Sequence, residues 1–241
     1  MRRAAARAAR EPAAPPANCR ASLGARLIHA RAARRDDRLS ERRSRDPVIL
    51  VVSGPSGSGK DSVVAALRDL DGDLAYSVSV TTRAPRPGEI DGVHYRFVDR
   101  AAFEGMRQRG ELLETREYAS NWYGTPAAFV KESVESGRDL VMKPEVNGAL
   151  AIKAMFPQAV LVFLTAPSAD ALRTRLEGRS TEGGEAIAQR LAIAQQEAQA
   201  QSDFDYLIVN VRVARAAEEL HCILAAERLK VGRIRRTEGP S

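Results

Sequence analysis

One short string of residues constrains the fold of this chain more than any other feature. An apolar run at 48–52 is followed by Gly-Pro-Ser-Gly-Ser-Gly-Lys at 54–60 and then by a helical pattern at 62–70. Glycines let the backbone curl so that successive N–H groups point at phosphate oxygens, and the following helix adds the positive end of its dipole. Lys60 supplies a mobile cation for the β- and γ-phosphates of a nucleotide. The string therefore predicts a phosphate-binding loop (P-loop) between a buried strand and a helix.

Strand and helix patterns alternate along much of the remaining chain. Apolar runs recur at 159–164 and 206–210, with a weaker one at 138–142. Helical patterns lie at 145–156, 169–176, 185–200 and 214–229. Continuous apolar runs are typical of strands that are covered on both faces. Their alternation with helices predicts an α/β fold of three layers, in which a parallel sheet lies between two layers of helices.

Two polar segments interrupt this alternation. Residues 80–127 contain Tyr95, Tyr118 and Tyr123 and mix short strand patterns with a helix at 99–109. We interpret this segment as an inserted subdomain that caps one end of the sheet. Residues 177–187 are rich in glycine and charge and are interpreted as a short, mobile lid.

The first 46 residues differ from the rest in charge. They contain 13 Arg and five acidic residues, whereas the remainder has two more acidic than basic residues. We interpret 1–46 as a disordered basic leader, 47–230 as one domain and 231–241 as a C-terminal tail. The net charge of +6 therefore does not indicate nucleic-acid binding by the domain. The leader is either an organellar transit peptide or a dispensable extension, so we expect a cytoplasmic protein, with mitochondrion or plastid as the alternative.

Several classes of protein are excluded by composition. No apolar run approaches the roughly 18 residues of a membrane span, so no membrane partner is expected. Two cysteines and three histidines match neither a disulfide framework nor a familiar zinc spacing. Cys222 lies in an apolar-periodic stretch and is expected to be a small buried side chain.

Several strings, most of them in the polar insertion, identify a family. Residues 77–95 read SVSVTTRAPRPGEIDGVHY, and shorter blocks are ELLE at 111–114, NWYGTP at 121–126 and EVNG at 145–148. Over about 47–230 the chain resembles guanylate kinases, P-loop enzymes that transfer the γ-phosphoryl group of ATP to GMP. The resemblance implies an inserted GMP-binding subdomain, GMP and dGMP as acceptors, Mg²⁺ as cofactor and a place in purine nucleotide metabolism.

Phosphate recognition agrees with this resemblance on chemical grounds. The phosphate of a nucleoside monophosphate is a dianion, and Arg83 and Arg86 can both bind it through guanidinium forks. The hydroxyls of Tyr95 and Tyr123 can complete its hydrogen bonds. Two arginines in a proline-rich loop can also be an ordinary solvated turn, but that alternative does not explain the clustering of Tyr, Arg and Glu.

Base recognition by the family carries over to three positions. Guanine presents N1–H and a 2-amino group, which one carboxylate can accept together, and the resemblance gives this role to Glu114. It gives Ser79 and Thr125 hydrogen bonds to the 6-oxo group. The wrong base would leave a buried carboxylate unpaired, so the site can discriminate strongly.

The remaining site assignments also follow from the resemblance. The predicted ATP contacts are Gly54, Pro55, Ser56, Gly57, Ser58, Gly59, Lys60, Asp61, Ser62 and Asn210, the last seating adenine. The predicted GMP contacts are Ser79, Arg83, Arg86, Glu89, Tyr95, Glu114, Tyr123, Thr125 and Glu145. The predicted catalytic residues are Lys60, Arg175, Arg179 and Arg190, the three arginines neutralising charge on the moving group. Ser62, and Asp61 through water, are the predicted magnesium ligands.

Two positions depart from the family pattern. Guanylate kinases commonly place a small residue where this chain has Asp61 and an acidic residue where it has Lys143. This chain therefore has an acidic residue in place of the small one and a basic residue in place of the acidic one. In the implied fold the two positions face each other beneath the phosphates. We hypothesise that Asp61 and Lys143 form an ion pair, the alternative being two unrelated surface charges.

Two other functions share parts of these motifs. Some guanylate-kinase-like domains are peptide-binding modules, but those typically have a damaged P-loop, whereas 54–60 is intact. Ribose-bisphosphate kinases resemble the string at 59–62 but lack the arginine and tyrosine elements of the insertion. We therefore expect ATP and GMP as small-molecule partners, no nucleic acid, and a monomer or weak homo-oligomer.

Overall fold

The structure is a computed structural model that describes residues 45–118, 120–177 and 184–234, without the side chains of 184–190. Its strands are β1 (Ile49–Ser53), β2 (Ala75–Tyr76), β3 (Val80–Thr81), β4 (Arg96–Phe97), β5 (Leu112–Tyr118), β6 (Asn121–Pro126), β7 (Leu140–Met142), β8 (Val160–Thr165) and β9 (Tyr206–Val209). Its helices are α1 (Lys60–Leu70), α2 (Arg100–Gln108), α3 (Ala127–Glu135), α4 (Val146–Met155), α5 (Ala169–Glu177), α6 (Gly184–Gln199) and α7 (Val213–Arg228). Short 3-10 helices follow at Ala200–Asp203 and Val231–Arg233.

Five strands form the central sheet in the order β2-β7-β1-β8-β9. Every neighbouring pair in it is parallel. Successive side chains of a strand point to opposite faces. In β1, Leu50 packs in the apolar cluster that includes helices α1 and α7, and Val51 packs in the cluster that includes α3 and α4. Burial on both faces explains the continuous apolar run and confirms the predicted three-layer α/β fold.

The insertion forms a second sheet of its own. Strands between Val80 and Pro126 pair in the order β4-β3-β6-β5. Val80, Phe103 and Met106 make its small apolar core, which fixes α2 against the sheet. In the chain this sheet lies between β2 and α3, within the polar segment at 80–127.

Two elements and one side chain differ from expectation. Strand β2 has only two residues, too few for a pattern, and α3 buries only Val130 and Ser133, so neither was predicted. Cys222 is exposed, not buried. The buried side chains of α7 include Leu220 and Leu224, and a residue two positions from Leu220 lies off that stripe.

Both predicted boundaries of the domain lie within packed structure. Arg45, placed in the leader, is buried and pairs in an isolated bridge with Ile234. Arg233, placed in the tail, is buried and donates to the backbone oxygens of Pro47 and Gln158. Residues 45–46 and 231–234 therefore belong to the domain. The expectations for 1–44, for 235–241 and for 178–183 of the lid lie outside the described residues.

Among the described residues, no helix is long and apolar enough to cross a bilayer.

Buried charges connect the two ends of the domain. Arg45 donates two hydrogen bonds to the carboxylate of Asp139, at 2.7 and 2.6 Å. Asp139 also accepts from the backbone N–H of Val48 and from Arg228, both at 2.7 Å, and Arg228 continues to Asp71 at 2.7 Å. Burial alone would raise the pKa of Asp139, but these donors and the two arginines hold it below its usual value.

We predict that Arg45→Gln destabilises the domain by about 2 kcal/mol at neutral pH, because a carboxylate that is 3% exposed loses two charged hydrogen bonds. A carboxyl with a lowered folded-state pKa stabilises the fold above its unfolded pKa and loses that contribution as the pH falls through its folded value. The difference between variant and unmodified chain should therefore shrink below about pH 4. Urea unfolding at several pH values measures it.

Arg107→Gln is the matched control, because Arg107 pairs with Glu104 while 45% exposed, and such pairs contribute about 0–1 kcal/mol. An equal effect of the two substitutions at neutral pH would contradict the assignment of Arg45 to the domain.

Candidate active site

The P-loop lies where the sequence places it, between the end of β1 and the start of α1. Gly54 and Gly59 have positive φ angles of 135° and 95°. A Cβ on Gly54 would overlap the carbonyl oxygen of Leu164, and one on Gly59 would overlap the side-chain amide of Asn210. Only glycine therefore allows this curl. The ammonium group of Lys60 folds back over the loop and donates to the carbonyl oxygens of Gly54 and Pro55.

Two side chains support the loop from behind. Asn210, which follows β9 and is 2% exposed, donates to the carbonyl oxygen of Ser58 at 2.8 Å. Arg175 near the end of α5 donates to the carbonyl oxygens of Asn210 at 2.8 Å and Ser58 at 3.4 Å. The predicted adenine contact and the first predicted catalytic arginine thus lie together and contact the loop backbone in this structure.

A buried carboxylate marks the predicted base pocket. Glu114 in β5 accepts a hydrogen bond from the hydroxyl of Thr125 in β6 at 2.8 Å. Burial raises the pKa of Glu114, Thr125 and Arg116 oppose the rise, and nearby Glu145 adds to it. Ser79, Glu114 and Glu145 line one cavity, as the family resemblance implies.

Gly148 in α4 is a feature of this pocket that sequence reasoning missed. A Cβ at position 148 would lie 2.8 Å from Oε2 of Glu114, closer than a side chain tolerates. The glycine therefore makes room for the carboxylate. The signal was present in the EVNG block at 145–148, which includes this glycine one turn into the helix.

Arg83 and Arg86 face the P-loop across a cavity that is also lined by Lys60. Arg83 binds the carboxylate of Glu89 through two hydrogen bonds of 2.9 and 2.8 Å. Glu89 also accepts from the backbone N–H of Arg86 at 2.7 Å. Burial alone would raise the pKa of Glu89, but the hydrogen bond from Arg83 and the N–H of Arg86 hold it below its usual value. Glu89 thus orients the guanidinium of Arg83 and fixes the backbone at Arg86.

Two aromatic rings also lie close to the guanidinium of Arg83. The guanidinium carbon of Arg83 lies 5.4 Å from the ring centre of Tyr95 and 5.7 Å from that of Phe97. Tyr95 and Tyr123 both line the cavity with Lys60. The structure therefore brings the four predicted phosphate ligands of the insertion to one place.

The hypothesised ion pair is present. The ammonium of Lys143 lies 2.8 Å from the carboxylate of Asp61, and the lysine side chain is only 3% exposed. The ammonium also lies 3.8 Å from the ring centre of Tyr95 and donates to the carbonyl oxygen of His94 at 3.4 Å. Burial alone would lower the pKa of Lys143, but Tyr95, Asp61 and Tyr76 raise it above its usual value. The lysine is therefore charged, and it joins α1 to the insertion.

The other predicted site residues do not all lie at the cavity. Asp61 lines the cavity beside Lys60, whereas Ser62 is exposed on α1 and does not line it; adjacent helical residues point about 100° apart. Arg179 lies outside the described residues, and Arg190 belongs to α6 with its side chain outside them.

Glu197 is a second residue that the sequence did not indicate. It lies on α6 and lines a cavity together with Glu145. Burial, and then the charge of Glu145, raise the pKa of Glu197 to about 7, while Lys60 opposes the rise. A glutamate in a polar helical pattern normally lies on a solvated face, so no sequence signal set it apart.

Comparisons with known proteins identify the family. The sequence model of the guanylate kinase family matches residues 45–227. The guanylate kinase of Halalkalibacterium halodurans is 44% identical over 187 residues, which cover 78% of this chain and 92% of that protein. The guanylate kinase of Streptococcus pneumoniae is 45% identical over 188 residues, covering 78% and 90%.

A solved structure shows the same fold. The crystal structure of guanylate kinase from Anaplasma phagocytophilum matches with a TM-score of 0.67 and 33% identity, over 78% of this chain and 90% of that one. The matching region begins at Arg45, which is also the first described residue of the domain. Together with the P-loop and the arginine-tyrosine cluster facing it, these similarities show that the chain belongs to the guanylate kinase family.

Proposed function

We propose that this cleft transfers the γ-phosphoryl group of ATP to GMP, with the donor on the P-loop and the acceptor on the insertion. One observation carries the proposal. Arg83 and Arg86 face Lys60 across a single cavity, so two phosphate groups bound by these side chains would meet end to end. Phosphoryl transfer requires that alignment together with neutralised charge.

The donor side has a preformed backbone. Loop glycines and the start of α1 present N–H groups to the β- and γ-phosphates, and Lys60 exchanges its loop carbonyls for phosphate oxygens. Asn210 and Arg175 keep the loop in shape through the carbonyl oxygen of Ser58. We assign Arg175 a positioning role in this state, and Arg179 and Arg190 the neutralisation of the moving group when the lid closes.

Magnesium fits the donor side. Mg²⁺ prefers oxygen ligands and is usually held by one or two carboxylates together with substrate phosphates. Asp61 offers such a carboxylate, because it lines the cavity beside Lys60 and Lys143 fixes its position. When bound, Mg²⁺ neutralises charge on the phosphates of ATP. Ser62 is exposed on the helix, so Asp61 is the better candidate of the two.

The acceptor side supplies the selectivity for guanine. Glu114 can accept both N1–H and the 2-amino group of guanine, and Gly148 leaves space for its carboxylate. Thr125 donates to Glu114, which prevents an unpaired buried oxygen. Ser79 remains available for the 6-oxo group. No nucleophilic side chain is required, because the acceptor phosphate itself attacks.

Lys60→Ala should lower turnover of GMP by at least about 100-fold, because a cation is removed from the developing charge. Its unfolding free energy should change by less than about 0.5 kcal/mol, since a loop cation contributes little to packing. A coupled assay of ADP release measures turnover, with AMP and ribose phosphates as alternative acceptors. Lys131→Ala, at a side chain that is 77% exposed, is the control. Normal turnover by Lys60→Ala, or a preference for ribose phosphates, would contradict the proposal.

Glu114→Gln should reduce kcat/KM for GMP roughly 30-fold, because the amide turns one acceptor into a donor that faces guanine donors. This reduction corresponds to a loss of about 2 kcal/mol of transition-state stabilisation. The unmodified chain should strongly prefer GMP to AMP, and the variant should lose most of that preference. Steady-state kinetics with both acceptors provides the measurement. Glu104→Gln, at a side chain that is 41% exposed, should behave as the unmodified chain. Equal efficiencies on GMP and AMP in the unmodified chain would refute this role.

Asp61→Ser and Lys143→Asp should each impair GMP phosphorylation, and the two together should recover much of it. The first leaves a buried ammonium without its counter-ion, and the second places two carboxylates face to face. The double variant restores one carboxylate to the site. We expect a coupling free energy of about 1–3 kcal/mol from kcat/KM and from urea unfolding. Additive losses in both measurements would mean that the pair has no functional role.

A further inference from the structure

A polar cavity beside the base pocket has no part in the mechanism above. Its volume is about 280 Å³ and its walls come from β5, from the start of α4 and from α6. Seven of its ten lining residues carry hydrogen-bonding side chains: Arg116, Glu117, Tyr118, Glu145, Asn147, Gln196 and Glu197. A space with so many hydrogen-bonding groups suits a polyhydroxyl group better than an aromatic base.

Among the described residues, two carboxylates in this cavity each have an oxygen atom that accepts no hydrogen bond. Within the described part of the chain, Oε2 of Glu145 and Oε2 of Glu197 are buried and accept no hydrogen bond. A buried acceptor without a donor costs on the order of 1–3 kcal/mol. A ligand that brings hydroxyl donors would remove this cost at both positions, and carboxylates are a usual partner of ribose hydroxyls.

The order of the cavities matches the order of groups in a nucleotide. Glu145 lines this cavity, the base pocket with Ser79 and Glu114, and the phosphate cavity with Lys60 and Arg83. Tyr118 lines both this cavity and the phosphate cavity. A nucleoside monophosphate has its sugar between its base and its phosphate, so a bound acceptor would place the sugar beside Glu145.

We propose that Glu197 is a further specificity-determining residue, whose carboxylate accepts a hydrogen bond from a ribose hydroxyl of the acceptor nucleotide. The proposal rests on the proposed GMP kinase activity. Because Glu197 belongs to α6, this bond also ties the helix that follows the lid to the occupied acceptor site. An acceptor without ribose hydroxyls offers this carboxylate no donor.

The charges around Glu197 agree with this role. It faces Glu145 from the start of α4, Lys60 from the start of α1, and Arg116, Glu117 and Tyr118 from β5. Burial and Glu145 raise its pKa to about 7, and a donating hydroxyl favours the ionised form. The preference for a ribose acceptor should therefore increase as the pH rises through this value.

The test compares GMP with 2′,3′-dideoxy-GMP, which lacks both hydroxyls. Affinities are obtained from the fluorescence of Trp122, the single tryptophan of the chain, so the comparison does not depend on turnover. We expect the unmodified chain to prefer GMP by about tenfold, as one hydrogen bond to a charged group provides. Glu197→Met, which keeps length but removes the acceptor, should reduce the preference to within about twofold.

Glu197→Met should fold at least as well as the unmodified chain, because it removes a buried carboxyl without a donor. Glu197→Gln, which keeps a neutral acceptor, should give an intermediate preference, and Glu135→Met at a side chain that is 66% exposed should leave it unchanged. If Glu197→Met kept the full preference for GMP over 2′,3′-dideoxy-GMP, the inference would be overturned, even where GMP is phosphorylated normally. Failure of the unmodified chain to phosphorylate GMP would instead overturn the proposed function.

Discussion

Lys143 lies just beyond β7 with 4% of its surface exposed, and its ammonium contacts two other parts of the chain. It pairs with Asp61 on the helix that follows the P-loop and lies against Tyr95 of the insertion. A buried ammonium is tolerated only when partners surround it, so these groups must stay together. The P-loop and the insertion are thereby held in a fixed relation at the cavity that Lys60 lines together with Arg83 and Arg86.

The rest of the site follows from the parallel sheet. Strands β1 and β7 run side by side and end at the same edge, and the P-loop, Lys143 and Glu145 all follow those ends. The third contribution to this edge is Asn210 after β9, which supports the loop through the carbonyl oxygen of Ser58. A sheet buried on both faces therefore supplies the rigid base, and we propose that the insertion and α6 supply the groups that recognise the acceptor.

Sequence reasoning succeeded where the signal is local. The P-loop, the buried strands and the polar insertion each depend on residues that are close in the chain. The family strings also named Glu114, Arg83 and Tyr95, which line two adjoining cavities that share Tyr95. It missed features that only tertiary packing creates. In the sequence Arg45 resembles the other arginines of the leader, and only the tertiary structure shows its ion pair with Asp139. Glu197 gained its unusual environment from the packing of α6 near Glu145, 52 residues away in sequence.

The central claim is that one cleft holds both nucleotides, with donor and acceptor phosphates in line. A compound in which adenosine and guanosine are joined 5′ to 5′ by a chain of five phosphates tests it most directly. Titration by calorimetry should give one compound per chain and an affinity at least about 100-fold higher than that of GMP alone, because both halves bind together. An affinity no higher than that of GMP, or two compounds per chain, would contradict the account.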